Sequence, residues 1–143
     1  MTRIYRHALL PYEDRQLFEL VNDIEAYPQF MDGCVGSRVL RREAEWVEAE
    51  LDLSRGGITQ RFSTRNHLQA PRLITLELLD GPFDYFQGSW EFRGLGASAC
   101  KVTLDLEFKA RSLLLGAAVG RLFESVTNSL VDAVGRRARQ LYG

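Results

Sequence analysis

Residues 101–109, KVTLDLEFK, alternate without a fault: Val102, Leu104, Leu106 and Phe108 fall on one side, Thr103, Asp105 and Glu107 on the other. Successive side chains of a strand point to opposite faces, so this segment is read as a strand with one dry and one wet face. An antiparallel sheet covered on one side accommodates such a pattern. The same period recurs upstream. In VEAELDL (47–53), Val47, Ala49, Leu51 and Leu53 oppose Glu48, Glu50 and Asp52. Over 58–68, Ile58, Phe62 and Leu68 share a face with Gln60, Thr64 and Asn66. LITLELL (73–79) and YFQGSWEF (85–92) follow, the latter with Phe86, Trp90 and Phe92 aligned. SRGG, QAPR, DGPF and GLGAS punctuate these runs as turns, and Gly56 and Gly57 tolerate positive φ. Residues 3–10 alternate weakly and add another strand.

Two other segments change period. Leu17, Leu20, Val21 and Ile24 recur at helical spacing behind Glu13 and Asp14, acids that suit a helix N-terminus. Pro28 disfavours helical geometry at Tyr27 but fits the first turn of a new helix, so helix, bend and short second helix are expected, with Gly33 and Gly36 ending the unit. Residues 112–141 form a long amphipathic helix of about 45 Å. Leu115, Val119, Leu122, Phe123, Val126, Leu130, Ala133, Val134 and Leu141 make its apolar stripe. Arg137 interrupts that stripe and is read as the point where the helix passes the sheet edge. The order is β, two short helices, six strands, one long helix: an α+β chain whose curved antiparallel sheet must cover its dry face with the terminal helix. At 143 residues and 45% hydrophobic, residues 1–143 are expected to form a single domain.

The formal net charge of -1 conceals sixteen arginines against Lys101 and Lys109. That bias fits either an RNA-contacting surface or the codon usage of a GC-rich genome. Cys34 and Cys100, with only His7 and His67 besides, form no metal-ligand spacing, and two free thiols in a reducing cytoplasm are expected. MTRIYRHALL interrupts its apolar residues with arginines, and the charge-free run SLLLGAAVG (112–120) is far shorter than the ~20 residues of a membrane span. A cytoplasmic protein, at most peripheral to the inner membrane, is expected. No G-x-S-x-G, H-E-x-x-H or phosphate-cradling glycine loop occurs, so no catalytic residue is assigned and no cofactor is required.

Five separated stretches, VNDIEAYPQF (21–30), GCVGSRVL (33–40), GGITQRFSTRN (56–66), DGPFDYFQGSWEF (80–92) and VGRLFESVTNSLVDAVGRRARQLYG (119–143), carry a resemblance that runs from end to end. The chain resembles the START-like proteins grouped as coenzyme Q-binding proteins and ribosome association toxins, within the polyketide cyclase-like superfamily. The resemblance implies a helix-grip fold: a seven-stranded sheet around a long C-terminal helix, with a hydrophobic cavity between them. It further implies binding of isoprenoid quinones in support of respiration, or docking on the large ribosomal subunit to block subunit joining. One departure stands out. After YPQF the family commonly continues Leu-Pro and then an aromatic or glycine, whereas this chain has Met31-Asp32-Gly33.

Within that frame, Tyr27, Phe30 and Met31 are expected to cap the open end of the sheet, as plain packing or as a gate. Burial of each contributes about 1.5–3 kcal/mol. Phe62, Phe83, Phe86, Trp90 and Phe92 are interior aromatics, core residues by default. From the terminal helix, Leu115, Val119, Phe123 and Val126 complete the expected cavity lining. Gln60, Thr64 and Asn66 on the Phe62 face must meet one another, water or a ligand, because unpartnered buried polar groups are costly. A quinone ring with a long apolar tail suits such a lining. On the wet face, Arg61, Arg65 and His67, with Arg55 and Arg72 near the strand ends, form either a phosphate-contacting patch or a row neutralised by Glu48, Glu50 and Asp52. Gly116 and Gly120 flank the helix stripe and leave space for a backbone or for a ligand. The expected function is non-enzymatic binding of a hydrophobic ligand, a polyprenyl quinone such as ubiquinone, for respiratory electron transfer. Two rivals stand beside it: a translation inhibitor on the large ribosomal subunit, and a polyketide aromatase/cyclase-like enzyme. Transient contact with a membrane surface is expected, and DNA is not an expected partner.

Overall fold

A computed structural model describes residues 1–111 and 116–143. Among these, seven strands form one sheet: β1 Thr2–Leu10, β2 Cys34–Arg42, β3 Trp46–Arg55, β4 Ile58–Gln69, β5 Leu73–Asp80, β6 Phe83–Gly94 and β7 Cys100–Ala110. Every neighbouring pair is antiparallel, in the order β1-β7-β6-β5-β4-β3-β2. Strands β2 to β7 are a meander of hairpins, whereas β1 pairs with β7 at the far edge. The chain must therefore cross the sheet between β1 and β2, and it does so as helices. Helix α1 is Asp14–Asn22, followed by a 3₁₀ turn, Ile24–Ala26, and the four-residue helix α2, Tyr27–Phe30.

Local chemistry explains these elements. The Glu13 backbone N–H donates to the Gln16 side-chain oxygen at 3.0 Å, and Asp14 sits in the first turn, so α1 starts with its free N–H groups and positive end answered. Its apolar face, Leu17, Phe18, Leu20 and Val21, is buried. Pro28 occupies the first turn of α2, where its missing N–H costs nothing. Gly56 and Gly57 both take positive φ, the geometry of the two-residue turn that joins β3 to β4. The perfectly alternating β7 is flanked by β1 and β6, and its Val102, Leu104, Leu106 and Phe108 are buried throughout.

The C-terminal helix fills the concave face in two segments, α3 (Gly116–Asn128) and α4 (Leu130–Tyr142). The uninterrupted rod expected from the sequence is thus broken at Ser129. Thr127 donates its hydroxyl to the Phe123 carbonyl at 2.8 Å, and Ser129 donates its own to the Val126 carbonyl at 3.0 Å. Such back-bonding competes with the helical ladder and bends it. Segment α3 packs on β1, β3, β4 and β7, while α4 covers α1, α2 and the β1–β7 edge.

One further expectation is corrected and two are filled in. Gly36 does not end the helical unit; it lies inside β2, at a register shift opposite Asp52. Arg137, expected where the helix passes the sheet edge, lays its guanidinium over the Phe30 ring at 5.5 Å and donates to Gln29 of α2 at 3.2 Å. Of the two helix glycines, left open between a close backbone and ligand space, Gly116 answers to a backbone: a side chain there would overlap the Arg111 carbonyl, whereas one at Gly120 would make only ordinary contact with Ala110 at 3.6 Å. Helix, strands and cavity make the chain an α+β helix-grip protein.

Candidate functional site

Between the sheet and the C-terminal helix lies a cavity of about 70 Å³. Strands β3 and β4 contribute Ala49, Leu51, Leu53, Phe62, Thr64 and Asn66 to its wall, and β5 to β7 contribute Leu76, Phe86, Trp90, Leu104 and Leu106. Phe123, Val126, Thr127 and Leu130 enter from the C-terminal helix, and Ile24, Tyr27 and Met31 cap it. The wall is therefore mostly apolar, as the alternation of the strands requires.

One flank is closed by an aromatic cluster. The Phe123 ring lies 5.4 Å from Phe62, 4.9 Å from Phe83, 5.9 Å from Phe86 and 4.7 Å from Phe108, near edge-on in each case. The cap is tied down separately. The Tyr27 hydroxyl donates to the Val21 carbonyl in a short hydrogen bond, and burial pushes its pKa well above the usual tyrosine value. The segment after Met31 is clasped by Arg55, which donates to the Asp32 carboxylate at 3.0 Å, the Asp32 carbonyl at 3.3 Å and the Ser125 hydroxyl of α3. The carboxylate that departs from the common pattern of the family thus fixes the α2–β2 connection to β3 and to α3.

Side-chain polar atoms on the wall are few, and four are hydrogen-bonded. Tyr27 and Thr127 donate to main-chain carbonyls, and Thr64 donates to the Asn66 side-chain oxygen at 2.7 Å. Thr64 and Asn66 are each only 7% exposed. Among the described residues the Asn66 amide nitrogen has no hydrogen-bond partner. Among the described residues Tyr27 is the only titratable group on the wall, and no nucleophile stands beside a base there.

Of the residues expected to line the cavity, Tyr27, Met31, Phe62, Thr64, Asn66, Phe86, Trp90, Phe123 and Val126 do so. Phe30 stands one layer back, edge-on to Tyr27 at 5.7 Å and under Arg137. Phe83 belongs to the aromatic cluster behind the wall, and Val119 is buried on α3 away from it. Leu115 lies outside the described residues. Sequence reasoning missed Ile24, Leu76, Leu130 and the inward positions of β3 and β7. Their alternation was visible, but nothing local separates an apolar residue facing a void from one facing another side chain.

The arginine patch does not assemble. Arg55 turns to Asp32 and Ser125 at the cavity cap instead of joining β4's wet face. Arg72 follows the far end of β4, eleven residues beyond Arg61 in sequence and, at ~3.3 Å per strand residue, distant from it. Arg61 pairs with Asp52 at 2.7 Å and Arg65 with Glu48 at 2.9 Å, while Arg38 bridges Glu50 and Asp52 at 2.8 Å each. His67 meets Glu77 at 3.1 Å. This is cross-strand neutralisation. The hydrogen bonds from Arg61 and then Arg38 hold the Asp52 carboxyl well below the usual range, at about 2. Both cysteines are free and buried, and burial pushes the Cys100 thiol up to about 11. Among the described residues, no group of three or more potential ligands is placed to hold a metal ion, and no helix is long and apolar enough to cross a membrane.

Known proteins share this architecture. The chain is 46% identical to the ribosome association toxin RatA of Pseudomonas aeruginosa over 99% of both chains. It is 23% identical to the mitochondrial coenzyme Q-binding protein COQ10 of Dictyostelium discoideum, over 94% of this chain and 67% of that one. The aromatase/cyclase Zhui of Streptomyces superposes with a TM-score of 0.85 over 97% of this chain and 94% of that one; at 15% identity it speaks for the fold alone. A family model described as polyketide cyclase / dehydrase and lipid transport matches residues 10–134. The chain belongs to that START-like family and, within it, to the group that includes the ribosome association toxins.

Proposed function

We propose that the protein binds an uncharged, largely apolar small molecule between sheet and helix, that the ligand is an isoprenoid quinone, and that the protein holds it for respiratory electron transfer. The observation that carries this reading is the cavity itself: an apolar wall with a few polar atoms, two of them without a hydrogen bond among the described residues, under a cap pinned by discrete contacts. The likeness to a coenzyme Q-binding protein supports the ligand class. At about 70 Å³ the space is less than half of the roughly 150 Å³ that admits benzene. A quinone ring therefore enters only as the Tyr27–Met31 cap and the Arg55 clasp give way. Its tail lives in a bilayer, so loading involves transient contact with a membrane surface. Organic extraction of the purified protein followed by mass spectrometry should recover a quinone; recovery of no lipid, even after exposure to excess quinone, ends this reading.

A second reading is favoured by a different observation, the 46% identity to a protein named for ribosome association over nearly the whole of both chains. On this reading the protein docks on the large ribosomal subunit. The β4 arginines already face acids, so their net field is weak and the contact would depend on more than Arg61 and Arg65. Co-sedimentation with purified large subunits tests it directly, and absence of the protein from the subunit peak at low salt rejects it. Each result stands apart from the quinone measurement.

A further inference from the structure

Asn66 sits on β4, 7% exposed, with its side chain on the cavity wall. Its oxygen accepts the Thr64 hydroxyl proton at 2.7 Å. Its amide nitrogen, with two N–H donors, makes no hydrogen bond among the described residues and is not one of their fully buried orphaned atoms, so it keeps some contact with open space; the same holds for the indole N–H of Trp90 on the same wall. The wall therefore presents unused donors. Among the described residues it carries no Arg, Lys or His. A donor that faces a mostly apolar space without a protein partner is answered better by a ligand acceptor than by an apolar group. A carboxylate entering the same space would lose its hydration with no cation to meet it.

We propose that Asn66 reads the polar end of the ligand by donating its amide N–H to a carbonyl oxygen, and that the cavity thereby selects uncharged carbonyl-bearing molecules over plain hydrocarbons and over carboxylic acids. This rests on the reading of the cavity as a ligand site and adds the residue that sets specificity there. Thr64 is the positioning residue: its hydrogen bond occupies the Asn66 oxygen and leaves the amide nitrogen as the end free to donate. A quinone ring satisfies the requirement with its ring oxygens, while a fatty acid of similar length does not.

The test uses the full chain with three probes of equal tail length: a decyl-substituted benzoquinone, decylbenzene and decylbenzoic acid at neutral pH, with binding followed by equilibrium partition of each probe. The unsubstituted protein should bind the quinone about five- to tenfold more tightly than decylbenzene, the worth of one neutral hydrogen bond, and the acid weakest of all. Asn66→Leu should erase the quinone advantage while keeping decylbenzene binding, which also shows that the variant is folded. Asn66→Ala serves as the second variant if the leucine disrupts folding, and it too should lose the advantage. An unchanged quinone-to-decylbenzene ratio in the folded variant overturns the role of Asn66 and leaves the cavity reading intact. Tight binding of the acid overturns the proposed selectivity. Failure of all three probes to bind the unsubstituted protein overturns the cavity reading, and the Asn66 proposal with it.

Discussion

Gly88 faces Leu106 across the β6–β7 ladder, and a side chain at that position would overlap the Leu106 methyl group, with Leu76 Cδ1 at 3.3 Å. Both leucines line the cavity, so the glycine lets them occupy the inner face of the sheet without strain. Gly88→Ala is expected to lower stability by about 1–3 kcal/mol, the usual cost of overpacking, and urea unfolding measures it. Thr64 and Asn66 present the opposite case at this scale. Their polarity on a dry face was evident from the alternation, whereas the hydrogen bond between them was not, since it depends on rotamers that packing selects. Arg55 was visible as a charge and misplaced as to partner. Its neighbours Asp32 and Ser125 lie twenty-three and seventy positions away in the chain.

Elements meet chiefly through such long-range pairs. The Arg55 clasp joins the α2–β2 connection, β3 and α3, while Asp32 is 84% exposed at its side chain. An exposed ion pair contributes little on its own, so Asp32→Ala should change global stability by less than about 1 kcal/mol. Arg55→Ala, which removes all three contacts, should accelerate amide hydrogen exchange at residues 31–36 well beyond its effect elsewhere; equal acceleration throughout the molecule would contradict a local clasp. Between β3, β4 and β2 the Asp52 carboxylate makes a pH-dependent contribution. Its folded pKa is depressed to about 2, so the stabilisation is present above its unfolded value near ~4 and is lost as pH falls from there through about 2. Asp52→Asn should therefore be less stable than the unsubstituted protein at neutral pH, with the two melting temperatures converging near pH 2. A difference that persists at pH 2 would show that Asp52 acts by packing rather than by charge.

At the scale of the whole molecule, a void kept in the core sets stability against ligand capacity. Ala49 is 3% exposed on the cavity wall in mid-strand, where valine has the better intrinsic fit. Ala49→Val should raise stability by about 0.5–2 kcal/mol by filling space, and it should reduce uptake of a quinone probe; higher stability with unchanged uptake would place the ligand elsewhere. The amino-acid order alone determined the strands, because a period of two with apolar residues on one side has a single way to stay dry. It likewise determined the amphipathic closing helix and, through them, a sheet gripped around that helix. What it left open was decided by tertiary packing. The break at Ser129, the clasp at Arg55, the acids facing Arg61 and Arg65, and the hollow beside Asn66 all arise where segments distant in the chain meet. Periodicity reports which side of an element avoids water. It carries no information about whether the opposing surface, once brought near, fits flush or stops short.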